Sequence, residues 1–269
     1  MQISIIIPTY APGAYIYDCL NSLLVQTSGY RYFEVIVVLN GKRDPYFSDI
    51  QNYLTKHDFR FELLYTEEKG VSNARNTALN FIGSRDSQYV VFLDDDDKLS
   101  PNFIESVSQK AQPDTVVTSN SKFFFDDQNN TEGKDYISKC YEDNINTSYN
   151  IFKYRCFLSN VAIKLFPLAV IGKTRFNKRF SVGEDALFSF MVSNKIKRIV
   201  LTGYDTFYIR RIRSNSASRS RKSRLTRFNN SYRLCIAYSK IYFRSPFEYN
   251  FLFYISRIVA TIIHLIKKE

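Results

Sequence analysis

Two kinds of segment alternate along the first hundred residues. ISIIIP (3–8), FEVIVVLN (33–40), FRFELLYT (59–66) and QYVVFLD (88–94) are short apolar runs rich in Ile, Val and Phe. Runs of this length without polar alternation predict strands buried on both faces. Between them, YIYDCLNSLLVQT (15–27), YFSDIQNYLTKH (46–57) and GVSNARNTALNFIG (70–83) carry apolar residues at helical spacing. Strand–helix alternation predicts right-handed βαβ units and a parallel sheet, with ligands beyond the carboxyl ends of the strands. PTYAPG, LNGKRD and LDDDDKL each follow a strand, so the three are expected on one rim.

The second half is less regular. DTVVTSNSKFFFDD (114–127) reads as a strand and an edge segment, DDQNNTEGKD (126–135) as a polar turn, and INTSYNIFKYRCFL (145–158) as helical. SNVAIKLFPLAVI (159–171) reads as a strand running into a short helix, and FNKRFSVGEDALFSFMVSNK (176–195) as a loop and a helix starting near Gly183. RIVLTGYDTFYIRRIR (198–213) gives one or two strands, and SRLTRFNNSYRLCIAYSKIYF and FEYNFLFYISRIVATIIHLIKK read as helices separated at Pro246. The expected class is α/β: a mixed sheet flanked by helices, with a C-terminal helical extension.

Composition narrows the compartment and the partners. The four cysteines are far apart, with no CxxC pair, which argues against a zinc ribbon or disulfide framework and suits a reducing compartment. MQISIIIPTY reads as a first strand rather than a leader, and no run of about 20 apolar residues predicts a membrane span. The net charge of +11 is uneven: residues 210–269 hold 14 Lys/Arg against two Glu. A tail so basic is expected to face phosphates of nucleotides, nucleic acid or lipid, or simply solvent.

Four segments carry candidate chemistry. Asp94, Asp95, Asp96 and Asp97 stand together behind YVVFL. Alternate carboxylates such as Asp94 and Asp96 can face a cleft and hold Mg²⁺ or Mn²⁺ with phosphate and water oxygens. The glycine and distal Glu of a calcium loop are absent. In KGVSNARNTALNF, Ser72 or Asn73 is a candidate cap, which puts Arg75 in the first helical turn beside an anionic or polar ligand. SVGED (181–185) sets Glu184 and Asp185 at a helix start, where acidic residues also serve the helix dipole. RRIRSNSAS (210–218) joins guanidinium and hydroxyl donors suited to a diphosphate or to nucleic acid.

In their order and spacing, SIIIPTY, FEVIVVLNG, GVSNARNTAL, VVFLDDDD, VGEDALF and RRIRSNSAS resemble family 2 glycosyltransferases of the GT-A fold. These are inverting, nucleotide-sugar-dependent enzymes of bacterial capsule and O-antigen synthesis. The likeness spans residues 2–220 and implies a Rossmann-like nucleotide-binding sheet. It implies a catalytic domain over 1–218, divided into a nucleotide-sugar half (1–118) and an acceptor half (119–218), before a basic amphipathic extension (219–269).

By resemblance, Pro8, Thr9 and Tyr10 border the nucleobase. The family's usual Asp after the second strand is replaced by Asn40, in Leu39-Asn40-Gly41-Lys42; its amide offers uracil both a donor and an acceptor. Arg75 matches the arginine that helps hold the nucleotide. Asp94, Asp95 and Asp96 match the D-x-D signature, with Asp94 at ribose or metal-bound water and Asp96 on Mn²⁺ or Mg²⁺. Asp185 matches the catalytic base, with Glu184 as substitute base or acceptor ligand. Arg211, Arg213, Ser216 and Ser218 would lie on a loop closing over the diphosphate.

The implied donor is a UDP-linked hexose or N-acetylhexosamine. The implied acceptor is a glycan or an undecaprenyl-linked oligosaccharide. With only His57 and His264, neither in a motif, histidine catalysis is not expected. The basic C-terminal helices would suit the cytoplasmic face of a membrane; packing on the catalytic domain, or on a second copy in a homodimer, is the alternative. A sugar nucleotidyltransferase would need a Gly-rich phosphate loop that PTYAPGAY lacks. A nucleic-acid-binding module would leave the four aspartates unexplained, so no nucleic-acid partner is expected.

Overall fold

The computed structural model describes residues 2–58, 60–126, 132–145, 149–213 and 223–266. In chain order its elements are β1 (Ile3–Thr9), α1 (Tyr15–Leu24), β2 (Phe33–Asn40), α2 (Tyr46–Leu54), β3 (Phe61–Thr66), α3 (Val71–Ile82), β4 (Tyr89–Phe92), β5 (Lys98–Leu99) and α4 (Phe103–Ser108). There follow β6 (Thr115–Thr118), β7 (Asn120–Phe125), β8 (Glu132–Gly133), α5 (Tyr136–Asn144), β9 (Lys164–Pro167), α6 (Leu168–Ile171) and α7 (Glu184–Val192). The last elements are β10 (Arg198–Leu201), β11 (Phe207–Ile212), α8 (Arg224–Arg244) and α9 (Phe251–Ile266).

The main sheet runs β10-β6-β9-β4-β1-β2-β3. β3, β2, β1 and β4 are mutually parallel, as the alternating pattern requires, and β9 is inserted antiparallel between β4 and β6. β1 and β2 are buried at every position, which is why they read as unbroken apolar runs rather than as alternation. α3 packs across β1, β2 and β3, so its first turns reach the carboxyl ends of β1 and β2.

A second sheet, β5-β11-β7-β8, was not legible in the sequence. The apolar stretch at 114–127 divides at Ser119: β6 joins the main sheet, whereas β7 pairs parallel with β11 in the small one. Ser119 donates its N–H to Ile163 O at 2.9 Å and Asn120 donates to Thr206 O at 3.1 Å, so the backbone changes partner within one residue. The acidic turn leaves β4 in the main sheet and enters β5 in the small one. Both of its ends are therefore fixed.

α5 lies where the sequence suggested a turn and untyped chain. Its capping box uses Asp135 Oδ1, which accepts from Ile137 N and Ser138 N, while Asp135 N donates to Ser138 Oγ. Its buried stripe, Ile137, Cys140, Tyr141 and Asn144, has helical spacing, but half of it is polar or weakly apolar, which masks the signal. The helix expected over 145–158 is instead a 3-10 segment at Lys153–Ser159; residues 146–148 lie outside the described residues. The short helix after β9, the helix beginning beside Gly183, and the two C-terminal helices occur as the pattern predicts.

The C-terminal pair is not independent of the body. α8 and α9 pack together, and Phe190 of α7 is enclosed by Tyr238, Tyr249, Phe253 and Tyr254 at centroid distances of 5.1–6.4 Å. The packing alternative therefore holds for the inner faces of these helices. Among the described residues no helix is long and apolar enough to cross a membrane.

Candidate active site

The four aspartates have four different environments. Asp94 follows the main-sheet strand, and its Oδ1 accepts from Arg75 Nη2 at 2.8 Å. Asp95 turns inward, where Thr9 Oγ1 donates to it. Asp96 pairs with Arg213 Nη2 at 2.5 Å. Asp97 is buried beneath the turn, accepting from Tyr208 Oη at 2.7 Å and from Arg211 N at 2.8 Å. Tyr208 in turn accepts from Asp94 N, so one fully buried phenol of β11 ties both ends of the run. Of the four, the Asp94 side chain is 42% exposed and that of Asp96 17%, each paired with an arginine, whereas Asp97 is buried.

Burial first, and neighbouring carboxylates after it, raise the pKa of Asp95, Asp96 and Asp97. Burial, then Asp96 and Asp94, push Asp95 up to about 7 against the opposing effects of Thr9 and Arg213. Burial, then Asp94, raise Asp96, and burial, then Asp94 and Asp96, raise Asp97 well above the usual carboxylate range. The turn is short of positive charge.

Arg75 joins this turn to the second acidic motif. Its guanidinium is 3% exposed and donates through Nη1 to Asp185 Oδ1 at 2.6 Å and through Nη2 to Asp94 Oδ1 at 2.8 Å. It also lies 5.3 Å from the Phe176 ring centroid and 5.9 Å from that of Phe92. Burial works against its charge, but Asp185 and Asp94 outweigh burial and raise its pKa. α3 begins at Val71 with Gly70 at φ +124 as its cap residue. Arg75 therefore sits in the second turn rather than the first, and Asn73 folds back onto Glu68 O at 2.7 Å. Asn76 clamps the backbone of Phe176 through both amide atoms at 2.7 and 2.9 Å, which seats that ring beneath Arg75.

Among the described residues, Asp185 Oδ2 receives only a long 3.4 Å bond from Val161 N. That leaves it the freer of the two oxygens. Glu184 opens α7, and burial, then Asp185, push its pKa up to about 7. Gly183 precedes them at φ +86, where an added Cβ would fall 2.7 Å from Leu234 of α8. Asn230 Nδ2 also donates to Val182 O at 3.1 Å. The C-terminal extension thus buttresses the turn bearing Glu184 and Asp185, a contact no local pattern announces.

On the other side of the rim, Pro8 is buried within β1 and Thr9 is engaged with Asp95, while Tyr10 stands 48% exposed. Lys69 Nζ lies 5.4 Å from the Tyr10 ring centroid, and a Cβ on Gly41 would meet that ring at 2.7 Å. Asn40 is buried: its Nδ2 donates to Thr9 O at 2.7 Å, and its Oδ1 accepts from Gly70 N at 2.8 Å. It braces the ends of β1 and β2 against the start of α3.

Arg211 belongs to β11 rather than to a loop. Its guanidinium is held by Asp18 at 2.5 Å and Asp126 at 2.6 Å, and its Nε donates to Asp96 O at 3.0 Å. Arg213, beyond the strand, lies 4.3 Å from the Tyr15 ring centroid, and its buried Nε has no partner among the described residues. Ser216 and Ser218 lie outside the described residues.

Mn²⁺ or Mg²⁺ suits this donor set. Among the described residues no three His, Cys, Asp or Glu side chains gather to hold a metal ion. Asp94 and Asp96 carry hard carboxylate oxygens, each paired with an arginine in this structure. Such cations commonly take one or two protein carboxylates and fill the remaining positions with phosphate and water oxygens.

A largely parallel sheet with one antiparallel insertion, an acidic turn after β4 and a second carboxylate pair joined to it through Arg75 match the GT-A fold. Staphylococcus aureus TarS 1–349 in complex with UDP-GlcNAc superposes at a TM-score of 0.70 with 20% identity, covering 90% of this chain and 67% of that one. The Pyrobaculum calidifontis mannosyltransferase PcManGT, in complex with GDP-Man and Mn²⁺, superposes at 0.61 with 16% identity, covering 99% of this chain and 70% of that one. The chain belongs to glycosyl transferase family 2, whose family model matches residues 4–179. In sequence it is 28% identical over 232 residues to the glycosyltransferase GlyA of Streptococcus pneumoniae, covering 81% of this chain and 32% of GlyA. The chain spans about a third of the length of the curated relatives it matches.

Proposed function

We propose that the chain is an inverting glycosyltransferase that moves a hexose or N-acetylhexosamine from a UDP-linked donor to a hydroxyl of a surface glycan or lipid-linked oligosaccharide. The observation that carries this reading is the Arg75 bridge, which holds Asp94 of the acidic turn and Asp185 at the two sides of one guanidinium. Relatives named as a poly(ribitol-phosphate) β-N-acetylglucosaminyltransferase and a minor teichoic acid biosynthesis protein support a cell-surface polymer as the setting.

In this reading Tyr10 offers its exposed ring to the nucleobase, and Asn40 shapes that edge by bracing Thr9 and Gly70. Residues 1–118 form the donor half, 119–218 the acceptor half and 219–269 the extension. Arg213, with its unpartnered Nε, meets the diphosphate, while Arg211 keeps the acidic turn in shape. Asp96, with Asp94, would hold the divalent cation, which when bound offsets charge on the departing diphosphate. Asp185 Oδ2 accepts the proton as the acceptor oxygen bonds to C1 and the C1–O bond to the β-phosphate breaks, the electron pair leaving with UDP. Arg75, engaged with Oδ1, fixes which oxygen is presented. Glu184, with its pKa raised to about 7, is about half protonated near neutral pH and hydrogen-bonds the acceptor.

The exposed stripe Leu225, Phe228, Tyr232, Ile236 and Phe243 on α8, with Ile255, Val259 and Ile262 on α9, suits an anionic membrane surface in a basic segment. The deciding experiment is Asp185→Asn assayed with a panel of nucleotide sugars. UDP should still raise the melting temperature while transfer falls at least 10³-fold. A near wild-type rate would move the base elsewhere.

A further inference from the structure

Beside Asp185 lies a cavity of about 340 Å³ that no residue of the donor reading occupies beyond their shared edge. Asp94 and Asp185 form that edge, and Ser121, Tyr136, Ser159 and Asn160 line the remainder. We propose that this cavity is the acceptor subsite and that it takes an uncharged sugar ring rather than the phosphate of a polyol-phosphate chain. The proposal rests on the reading of Asp185 as the base.

Charge argues first. The lining includes four carboxylates, Asp94, Asp97, Asp135 and Asp185, and one guanidinium, Arg210. Arg210 Nη1 is engaged by Asp135 Oδ2 at 3.1 Å. That carboxylate also accepts from Ser121 Oγ and caps α5, so the pair is fixed in place. Arg75, the other cation at the edge, is spent on Asp94 and Asp185. A phosphate entering here would meet four carboxylates against one guanidinium, whose Nη1 is already engaged by Asp135. A neutral polyhydroxylated ring faces no such barrier, and carboxylate, hydroxyl and amide groups all suit its hydroxyls.

Shape argues second. Tyr136, the first residue of α5, is 66% exposed at the cavity wall. An aromatic face presented at the mouth of a polar cavity offers a platform for the C–H face of a pyranose. The part of the wall formed by Ser159, Asn160, Ala162 and Ile163 is braced from within the fold. Fully buried Lys164 donates through Nζ to Asn160 O, Asn160 Oδ1 and Ala162 O at 2.8–2.9 Å. A preformed wall favours one ring orientation over many.

The test measures binding and transfer separately. Methyl glycosides of neutral hexoses and N-acetylhexosamines, and glycerol 3-phosphate as the anionic probe, are titrated by saturation-transfer NMR into the full chain, Tyr136→Ala and Asp185→Asn, each with saturating UDP and Mn²⁺. A neutral glycoside should bind the wild type, lose at least tenfold in affinity in Tyr136→Ala, and still bind Asp185→Asn. Tyr136→Ala should leave the UDP-induced thermal shift unchanged, which separates a local loss from misfolding. Tighter binding of glycerol 3-phosphate than of every glycoside, or equal glycoside affinity in Tyr136→Ala, overturns the proposal. If glycosides bind as expected while Asp185→Asn still transfers at the wild-type rate, the subsite stands and the base assignment fails.

Discussion

Replacing Arg75 by Met removes a group that touches both acidic motifs. The 3%-exposed guanidinium makes two charge-assisted hydrogen bonds, of 2.6 and 2.8 Å. Each such bond contributes about 1.5–3 kcal/mol, and stripping one partner from a buried pair costs about 3–5 kcal/mol. The side chains of Asp94 and Asp185 are 42% and 22% exposed, so water takes over part of the lost stabilisation. The expected destabilisation is therefore about 3 kcal/mol, small enough to leave a domain of ordinary stability folded.

Catalysis should suffer more, because a misplacement of about 1 Å at the reacting groups can cost 10²-fold. Arg75→Lys keeps the charge but cannot span two carboxylates with one point donor, so it should recover about half the stability and little of the rate. Urea unfolding reports the stability, UDP release the rate, and calorimetry the affinity for UDP. An unchanged urea midpoint together with a loss confined to UDP affinity would refute the bridging role and make Arg75 a nucleotide ligand.

Three other outcomes are expected. UDP with Mn²⁺ at 100 times its Kd should stabilise the wild type by about 2.7 kcal/mol; Asp96→Ala should lose that increment with its ligand-free melting temperature preserved, and a retained Mn²⁺ dependence would place the metal elsewhere. Glu184 has a folded pKa raised from 4.5 to about 7, so the folded state binds the extra proton and its stability falls as pH rises through that window. Glu184→Gln should therefore match wild type near pH 4.5 and exceed it by up to about 3 kcal/mol at pH 8; an equal difference at both pH values in urea unfolding would contradict the sign. Substituting Ser for exposed Phe243, Phe251, Ile255 and Ile262 should halve or further reduce sedimentation with phosphatidylglycerol vesicles, leaving soluble transfer intact, and undiminished sedimentation would remove the lipid-facing role of these helices.

Local chemistry made much of this protein readable. Buried parallel strands need continuous apolar runs, so β1, β2 and β4 announced themselves, and with them the rim that carries Tyr10 and Asp94. Four carboxylates directly after such a run, and Gly183 before Glu184-Asp185, were conspicuous because each is costly without a partner. What one-dimensional pattern could not supply was the partners. Arg75 reads as a residue near a helix start; only packing shows its two nitrogens divided between residues 19 and 110 positions away.

Arg211 illustrates the same limit from the other side. A cluster of Arg and Ser predicts a mobile phosphate-binding loop, yet strand pairing with β7 carries Arg211 into a buried triangle with Asp18, Asp126 and the backbone of Asp96. Tyr208, Leu234 and Tyr136 carry no motif; their roles come from which surface faces them. Sequence by itself determined which segments must be buried and where charge is concentrated, because hydrophobic period and charge density are local properties. Tertiary structure alone decided which charges neutralise one another and which remain for a substrate, because electrostatic pairing acts over a few ångströms of space irrespective of chain separation.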